Sequence, residues 1–265
     1  MADAAPSTPR AVVVKIGGSV LTGTAAYREA ARVLAAKARA RPAARVLAVV
    51  SAQEGTTDGL LASAREMVSD PDPATLDLLW STGELRSVAL LVLALQALGV
   101  RAAAANVHQI GLVHRPGAGD PGNAPHDGVA GWRGYRILPL RLRALFTAAD
   151  VVVVPGFLAR SRGDAVASLG RGGSDLSAIL LAAGLGARRC ELMKDVPGYF
   201  TADPQASPEA APLAELPYVE AIAMARRGCG LVQLEALEAA RDLDVALLVA
   251  DLRGAGTVIG EHTHV

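Results

Sequence analysis

Two glycine-rich stretches carry the clearest chemical signal in this sequence. Lys15-Ile16-Gly17-Gly18-Ser19 closes a Val-rich run, so a lysine at a strand end is followed by a backbone that can approach a ligand closely. Amides exposed in such a turn form an anion nest. A phosphate would sit on Gly17, Gly18 and Ser19 with Lys15 as its counter-charge; the alternative is a tight strand-to-helix turn with a solvated lysine. Gly170-Arg171-Gly172-Gly173-Ser174-Asp175 precedes an apolar helical run. Ser174 or Asp175 can cap that helix, while open amides at Gly172 and Gly173 and the helix dipole favour an anion. Arg171 adds a fork suited to carboxylate or phosphate; the alternative is a capped helix with a salt-bridged arginine. Two such loops, each with a cation and each after a strand pattern, tip the balance toward polyphosphate binding.

Three further stretches place polar groups near apolar runs. Ser51-Ala52-Gln53-Glu54-Gly55-Thr56-Thr57-Asp58 offers hydroxyls at Ser51 and Thr57 for a small polar substrate, or simply a helix N-cap at Thr56 or Thr57. Ser81-Thr82-Gly83-Glu84-Leu85-Arg86-Ser87 sets Glu84 in an apolar helical region. That carboxylate can receive a substrate ammonium, or pair with an arginine on a solvated face. Lys194-Asp195-Val196-Pro197-Gly198-Tyr199-Phe200-Thr201-Ala202-Asp203-Pro204 follows another strand run. Asp195 there can organise a metal or nucleotide, or the stretch is a turn with exposed charges. His108, His114 and His126 show no ligand spacing. His262-Thr263-His264 sits in a terminal tail, and Trp80 and Trp132 are expected to pack.

These groups must be positioned by the elements between them. Strands are expected at Ala11–Ile16, Arg45–Val50, Val100–Val107, Asp150–Val154, Arg189–Met193 and Val245–Ala250, the last of the chain. Helices are expected at Tyr27–Arg41, Thr57–Met67, Ala74–Leu98 with a break near Gly83, Ile137–Ala148, Ser174–Ala183 stopped by Gly184, Val219–Arg227 and Leu231–Leu243. Phe157–Leu169 resembles a hairpin turning at Arg162-Gly163-Asp164, and Val113–Tyr135 reads as a long Gly/Pro-rich loop. Alternating strands and helices imply an α/β fold with a mostly parallel sheet covered on both faces. Ligands in such folds bind beyond the carboxyl ends of the strands, which is where the polar stretches fall.

The apolar set is 51% of 265 residues while aromatics are 3%, so Ala, Val and Leu must fill the core. Twenty-six basic residues balance 26 acidic ones, which argues against a strongly basic nucleic-acid binder and an acidic disordered chain. Two cysteines fit no metal or disulfide framework. Residues 1–10 have no apolar h-region and read as a disordered tail. No apolar run, Val88–Val100 included, is read as long enough to span a membrane. A cytoplasmic protein is the expectation.

In this order the motifs resemble the amino acid kinase superfamily, its aspartate kinase branch most closely. Val14–Ser19 resembles the opening lysine–glycine motif, Val49–Asp58 the substrate loop, and Ser81–Ser87 the aspartate kinase helix. Val154-Pro155-Gly156-Phe157 with Leu169–Asp175 is the most specific match, and Lys194–Pro204 resembles the nucleotide loop. The likeness runs from Ala11 to about Ile259. It implies a three-layer α/β sandwich forming one domain over 11–265, with an acceptor lobe at about 11–150 and a nucleotide lobe at about 151–265. It also implies ATP-dependent, Mg2+-dependent phosphoryl transfer to the carboxylate of a small amino acid such as aspartate, the metal arriving on ATP rather than on protein ligands. Lys15 would stabilise the transferring group and Asp175 would orient the lysine. Ser51, Thr57, Glu84, Arg171 and Ser174 would hold the acceptor. Gly17, Gly18, Ser19, Gly172 and Gly173 would cradle phosphate, with Lys194, Asp195, Phe200 and Asp203 beside the nucleotide. A homodimer or higher homo-oligomer is the default of such enzymes.

The sequence departs from that pattern at several points. The opening Lys-Ile-Gly-Gly-Ser-Val looks more like acetylglutamate, uridylate or isopentenyl phosphate kinases. Gln205 stands where an arginine is usual, Gly230-Leu231-Val232-Gln233-Leu234 where Lys-Val-Leu-His-Pro is usual, and Phe200 where a tyrosine is usual. Two cations on the nucleotide side are thereby absent, and Lys194 is a candidate replacement. The resemblance also implies that the regulatory domains of aspartate kinases lie outside this chain. Two alternatives stand beside the aspartate kinase reading: a kinase of the same fold with another acceptor, and a nucleotide-weak, non-catalytic binding or regulatory homologue.

Overall fold

Val-rich runs and Ala/Leu-rich runs alternate along the chain, and they fold as strands and helices respectively. The computed structural model describes residues 11–40, 44–115, 131–161, 163–170 and 172–261. Residues 1–10, His126, Arg171, His262, His264 and most of the 113–135 stretch lie outside that set. The first half comprises β1 (Ala11–Ile16), α1 (Thr24–Ala40), β2 (Arg45–Val50), α2 (Thr56–Met67), α3 (Pro73–Gln96), β3 (Ala102–Ala104), β4 (Leu112–His114), β5 (Gly131–Trp132), β6 (Tyr135–Ile137) and α4 (Pro139–Ala144). The second half continues with β7 (Val151–Pro155), β8 (Leu158–Arg160), β9 (Val166–Ser168), α5 (Gly173–Leu185), β10 (Arg189–Met193), β11 (Glu215–Pro217), α6 (Tyr218–Arg226), α7 (Leu234–Asp242), β12 (Ala246–Ala250) and β13 (Gly256–Gly260).

Eight strands form one sheet in the order β11-β13-β12-β10-β1-β2-β7-β3. All neighbours are parallel except β12 and β13. A second, five-stranded sheet has the order β5-β6-β4-β8-β9. Because side chains alternate across a strand, β1 sends Val13 into the core under α5 to α7 and Val14 and Ile16 into the core under α1 and α3. Both faces of the large sheet are thus covered, giving three layers. Small residues permit close helix approach: Ala30, Ala31 and Ala35 on α1, and Ala236, Ala239 and Ala240 on α7, are all buried.

Several boundaries differ from the sequence expectation for steric reasons. Helix α3 runs unbroken through Gly83, where an added Cβ would lie 2.9 Å from Thr56 Cγ2 and 3.2 Å from Ala52 Cβ. That glycine makes room for the start of α2 rather than breaking a helix. Gly184 does not stop α5. It lies inside the helix because Ile137 Cγ2 stands 2.3 Å from where its Cβ would be; the helix ends at Gly186, with left-handed φ of 69°. Ile137 belongs to β6, paired with Leu112, and the expected Ile137–Ala148 helix contracts to α4 plus a 3-10 turn at Leu145–Thr147. The Val113–Tyr135 loop contributes β5, the ends of β4 and β6, and so part of the second sheet.

Val245–Ala250 is not the last strand. Gly256–Gly260 pairs antiparallel with β12 and parallel with β11; two glycine ends and a three-residue, Pro-ended partner hid that edge. The Phe157–Leu169 hairpin is present as β8 and β9, paired antiparallel. Helix α3, at 24 residues, is long and apolar enough by length and composition to cross a membrane, contrary to the sequence expectation, which began the run at Val88. Here it is a core helix that packs on α1 and buries Ser81, Glu84, Ser87, Val88, Leu91 and Leu95.

Candidate active site

Parallel neighbours bring the carboxyl ends of β1, β2, β7 and β10 to one edge, and a cleft of about 320 Å3 opens there. Lys15 is the fifth residue of β1, on the face that α5 covers. Lys194 immediately follows β10, its N–H bonded to the Ala250 carbonyl at 2.8 Å. Asp175 lies in the first turn of α5, where the helix dipole favours a carboxylate. These three converge. Lys15 Nζ is 2.8 Å from Asp175 Oδ1, and Lys194 Nζ is 2.7 Å from Asp175 Oδ2. Burial pushes the Asp175 carboxyl up, but Lys15 and Lys194 outweigh it and hold it below the usual carboxylate range. Burial, then repulsion from Lys15, lowers the Lys194 ammonium, with Asp175 opposing. One carboxylate between two ammoniums leaves an excess positive charge in a nearly dry site, where an anion is attracted strongly.

The turn into α5 completes that positively charged end. Gly172 caps the helix with φ of 76°, a left-handed conformation that a side chain resists. A Cβ on it would lie 2.1 Å from Gln233 Cγ. Gly172, Gly173 and Ser174 present the helix start to the cleft, the arrangement that binds phosphate or carboxylate.

Glu84 forms the other end. It is 3% exposed, whereas Arg86 is exposed, so the solvated ion-pair alternative does not hold. Its carboxyl is pushed up to about 8 by burial, against the Ala52 backbone bond and the Lys15 charge. Its Oε2 has no hydrogen-bond partner among the described residues. A buried carboxyl with an open acceptor atom suits a cationic ligand group. Ser51 and Thr57, both half-buried, line the same cleft. The β1–α1 and β2–α2 loops are pressed together, since a Cβ on Gly18 would be 2.5 Å from the Ala52 carbonyl oxygen.

The cleft therefore gathers Lys15, Ser51, Thr57, Glu84, Gly172, Gly173, Ser174, Asp175 and Lys194. Gly17, Gly18, Ser19 and Asp195 do not line it, and Ser19 Oγ donates to Asp195 Oδ1 at 2.9 Å. Phe200 bridges to Pro212, and exposed Asp203 accepts from the Gln205 amide at 2.9 Å. Neither of these lines the cleft. Sequence reasoning did not select Phe157, Gly170, Gly230 or Gln233, which do. Phe157 was findable from its place just after β7. Gln233 was marked only as part of a departure from the family pattern, because tertiary packing alone sets it against Gly172. Among the described residues no three His, Cys, Asp or Glu side chains cluster as metal ligands.

The sequence model of the amino acid kinase family matches residues 10–251. The chain belongs to that family. Among amino acid kinase relatives, the aspartokinase of Thermus thermophilus is 37% identical over 201 residues, 76% of this chain and 47% of its own length. The aspartokinase of Mycolicibacterium smegmatis is 36% identical over 240 residues, 90% of this chain and 54% of its own. The chain thus spans about half the length of the curated relatives it matches. The crystal structure of aspartate kinase from Synechocystis superposes with a TM-score of 0.76 at 31% identity, covering 95% of this chain and 40% of that one.

Proposed function

We propose that this chain transfers the γ-phosphoryl group of ATP to the side-chain carboxylate of aspartate, giving 4-phosphoaspartate and ADP. The observation that carries the proposal is the Lys15–Asp175–Lys194 cluster facing a buried, open Glu84 across a cleft of small-molecule size. The aspartokinase relatives agree with it. Phosphoryl transfer is governed mainly by positioning and charge neutralisation, and this site supplies both.

Lys15 neutralises charge on the transferring group, and Asp175 fixes Lys15 and Lys194 in place. Gly172 and Gly173 hold phosphate at the α5 N-terminus, with Gly17, Gly18 and Ser19 supporting the opposite loop. Lys194 stands in for the cations missing at Gln205 and Gly230. Asp195, Phe200 and Asp203 border the nucleotide. Glu84 receives the acceptor ammonium, Arg171 its α-carboxylate, and Ser51, Thr57 and Ser174 its remaining polar atoms. Of the two carboxyl groups that line the cleft among the described residues, Asp175 is neutralised by two lysines and Glu84 is a single buried group, so the donor set fits a metal carried on nucleotide rather than a protein-held one. Mg2+ on the ATP phosphates supplies further charge neutralisation when bound. In this proposal residues 11–150 hold the acceptor and 151–265 the nucleotide, in a cytoplasmic homodimer or higher homo-oligomer.

ADP release with MgATP across aspartate, glutamate, acetylglutamate and isopentenyl phosphate tests the proposal. Aspartate-dependent turnover that Lys15→Ala removes is expected. Turnover on another panel member alone would give the chain a different acceptor, the reading favoured by its altered opening motif. Nucleotide binding without turnover, unaffected by Lys15→Ala, would make it a binding protein.

A further inference from the structure

Trp80 joins two walls of the cleft that come from distant parts of the chain, and the proposed chemistry does not use it. It lies four residues before Glu84 on α3, so the two side chains share a helix face. Its indole N–H donates to the Thr57 carbonyl at 3.3 Å. Its ring meets Phe157 edge-on, with centroids 5.9 Å apart and planes at 71°, a favourable aromatic geometry. Thr57 and Phe157 both line the cleft; Trp80 stands behind them.

The two attachments differ in firmness. Phe157 is fixed: its N–H donates to Ser177 Oγ at 3.1 Å, its carbonyl accepts from the Leu169 amide at 2.7 Å, and its φ is 65°. A non-glycine residue in that region persists only where its surroundings hold it. Thr57 sits in the first turn of α2, a helix with no buried residue. Trp80 is therefore a strut with an anchored end at Phe157 and, at Thr57, a wall carried by a helix that has no buried residue.

We infer that Trp80 is a positioning residue that sets the length of acceptor the cleft admits, holding the Thr57 wall against the Glu84 end. The inference rests on the carboxylate-phosphorylating reading. A smaller residue at position 80 lets the wall retreat, so that an acceptor one methylene longer gains relative to aspartate. Hydrophobic walls discriminate a methylene by roughly 10- to 200-fold, so the effect is measurable.

The test compares kcat and KM for aspartate and glutamate in the wild type, Trp80→Leu and Trp80→Phe. Trp80→Leu is expected to raise the aspartate KM about tenfold, keep kcat within about threefold and lower the aspartate-to-glutamate kcat/KM ratio about tenfold. Trp80→Phe, which keeps a ring edge on Phe157, recovers part of the ratio. In a Trp132→Phe background Trp80 is the sole tryptophan, and its emission shifts when aspartate is added. An unchanged ratio in folded Trp80→Leu, or a loss of kcat with KM and ratio intact, overturns the inference. If Trp80→Leu does not fold, the emission decides, and silence overturns it. A wild type inactive on both acceptors is the failure of the proposed function instead; Trp80 is then judged by emission across the four acceptors, with silence again the overturning result.

Discussion

Lys15, Asp175 and Lys194 depend on one another more than on their own intrinsic chemistry. Asp175 stays ionised although buried because two ammoniums face it, and Lys194 tolerates burial because Asp175 faces it. Removing a preorganised charge of this kind costs roughly 100- to 1,000-fold in kcat, so Lys15→Ala is expected to lose about that much in a steady-state assay, with ATP still bound. Glu84 has the opposite sign. Its folded value, about 8, lies above the ordinary 4.5, so the folded state holds a proton that the unfolded chain releases. That stability is full below the unfolded value and is lost as pH rises through about 8. Glu84→Gln should flatten the decline, by on the order of a few kcal/mol between acid and alkaline ends. Urea midpoints at pH 5 and pH 9 for both proteins would check it. An acceptor ammonium favours the ionised form, so wild-type kcat/KM for aspartate should climb toward pH 8 while Glu84→Gln loses that limb.

Helix α5 shows how an element carries the site. Its start opens to the cleft because Gly172 turns left-handed and leaves space for Gln233, and its middle packs on β6 because Gly184 leaves space for Ile137. Two effects oppose each other at Gly184. Alanine in a helix interior gains about 1 kcal/mol over glycine, while overpacking a dense core costs about 1–3 kcal/mol. A Cβ at 2.3 Å from a branched side chain decides for the clash. Gly184→Ala should therefore lower the denaturation midpoint, and adding Ile137→Ala should make the two changes non-additive. At Gly172 the same substitution meets both a clash and a left-handed backbone, and, on the proposed phosphate-holding role of this turn, it should raise KM for ATP by at least about tenfold.

One sheet runs through the whole molecule. Strand β10 of the second half pairs with β1 of the first along four residue positions, and β7 lies between β2 and β3. A fragment ending at residue 150 would lose both partners, exposing strand edges that need pairing. Such a fragment is expected to remain unfolded by circular dichroism, while the full chain loses its native tryptophan emission, from Trp80 and Trp132 together, and its far-UV signal in coincident transitions.

Much of the site was legible in the sequence because its residues follow strands. Lys15, Ser51 and Lys194 stand at or just past strand ends, and a parallel sheet must carry such ends to one edge. The glycine spacing before α5 marked the left-handed turn at the cleft for the same local reason. Positions set by long-range packing were illegible. Gly83 and Gly184 look like helix breakers until Thr56 and Ile137 are seen against them. Glu84 could have been a solvated ion-pair member, and only the packing of α3 into the fold buried it. The sequence by itself determined the alternation of the main strands and helices of the large sheet and the chemistry at their ends, since periodicity and turn residues are local, while the strands β11 and β13 at that sheet's edge and the second sheet's β4 to β6 escaped it. Tertiary structure decided burial, the two-lysine clasp on Asp175 and the place of Trp80, since these depend on which distant segments meet.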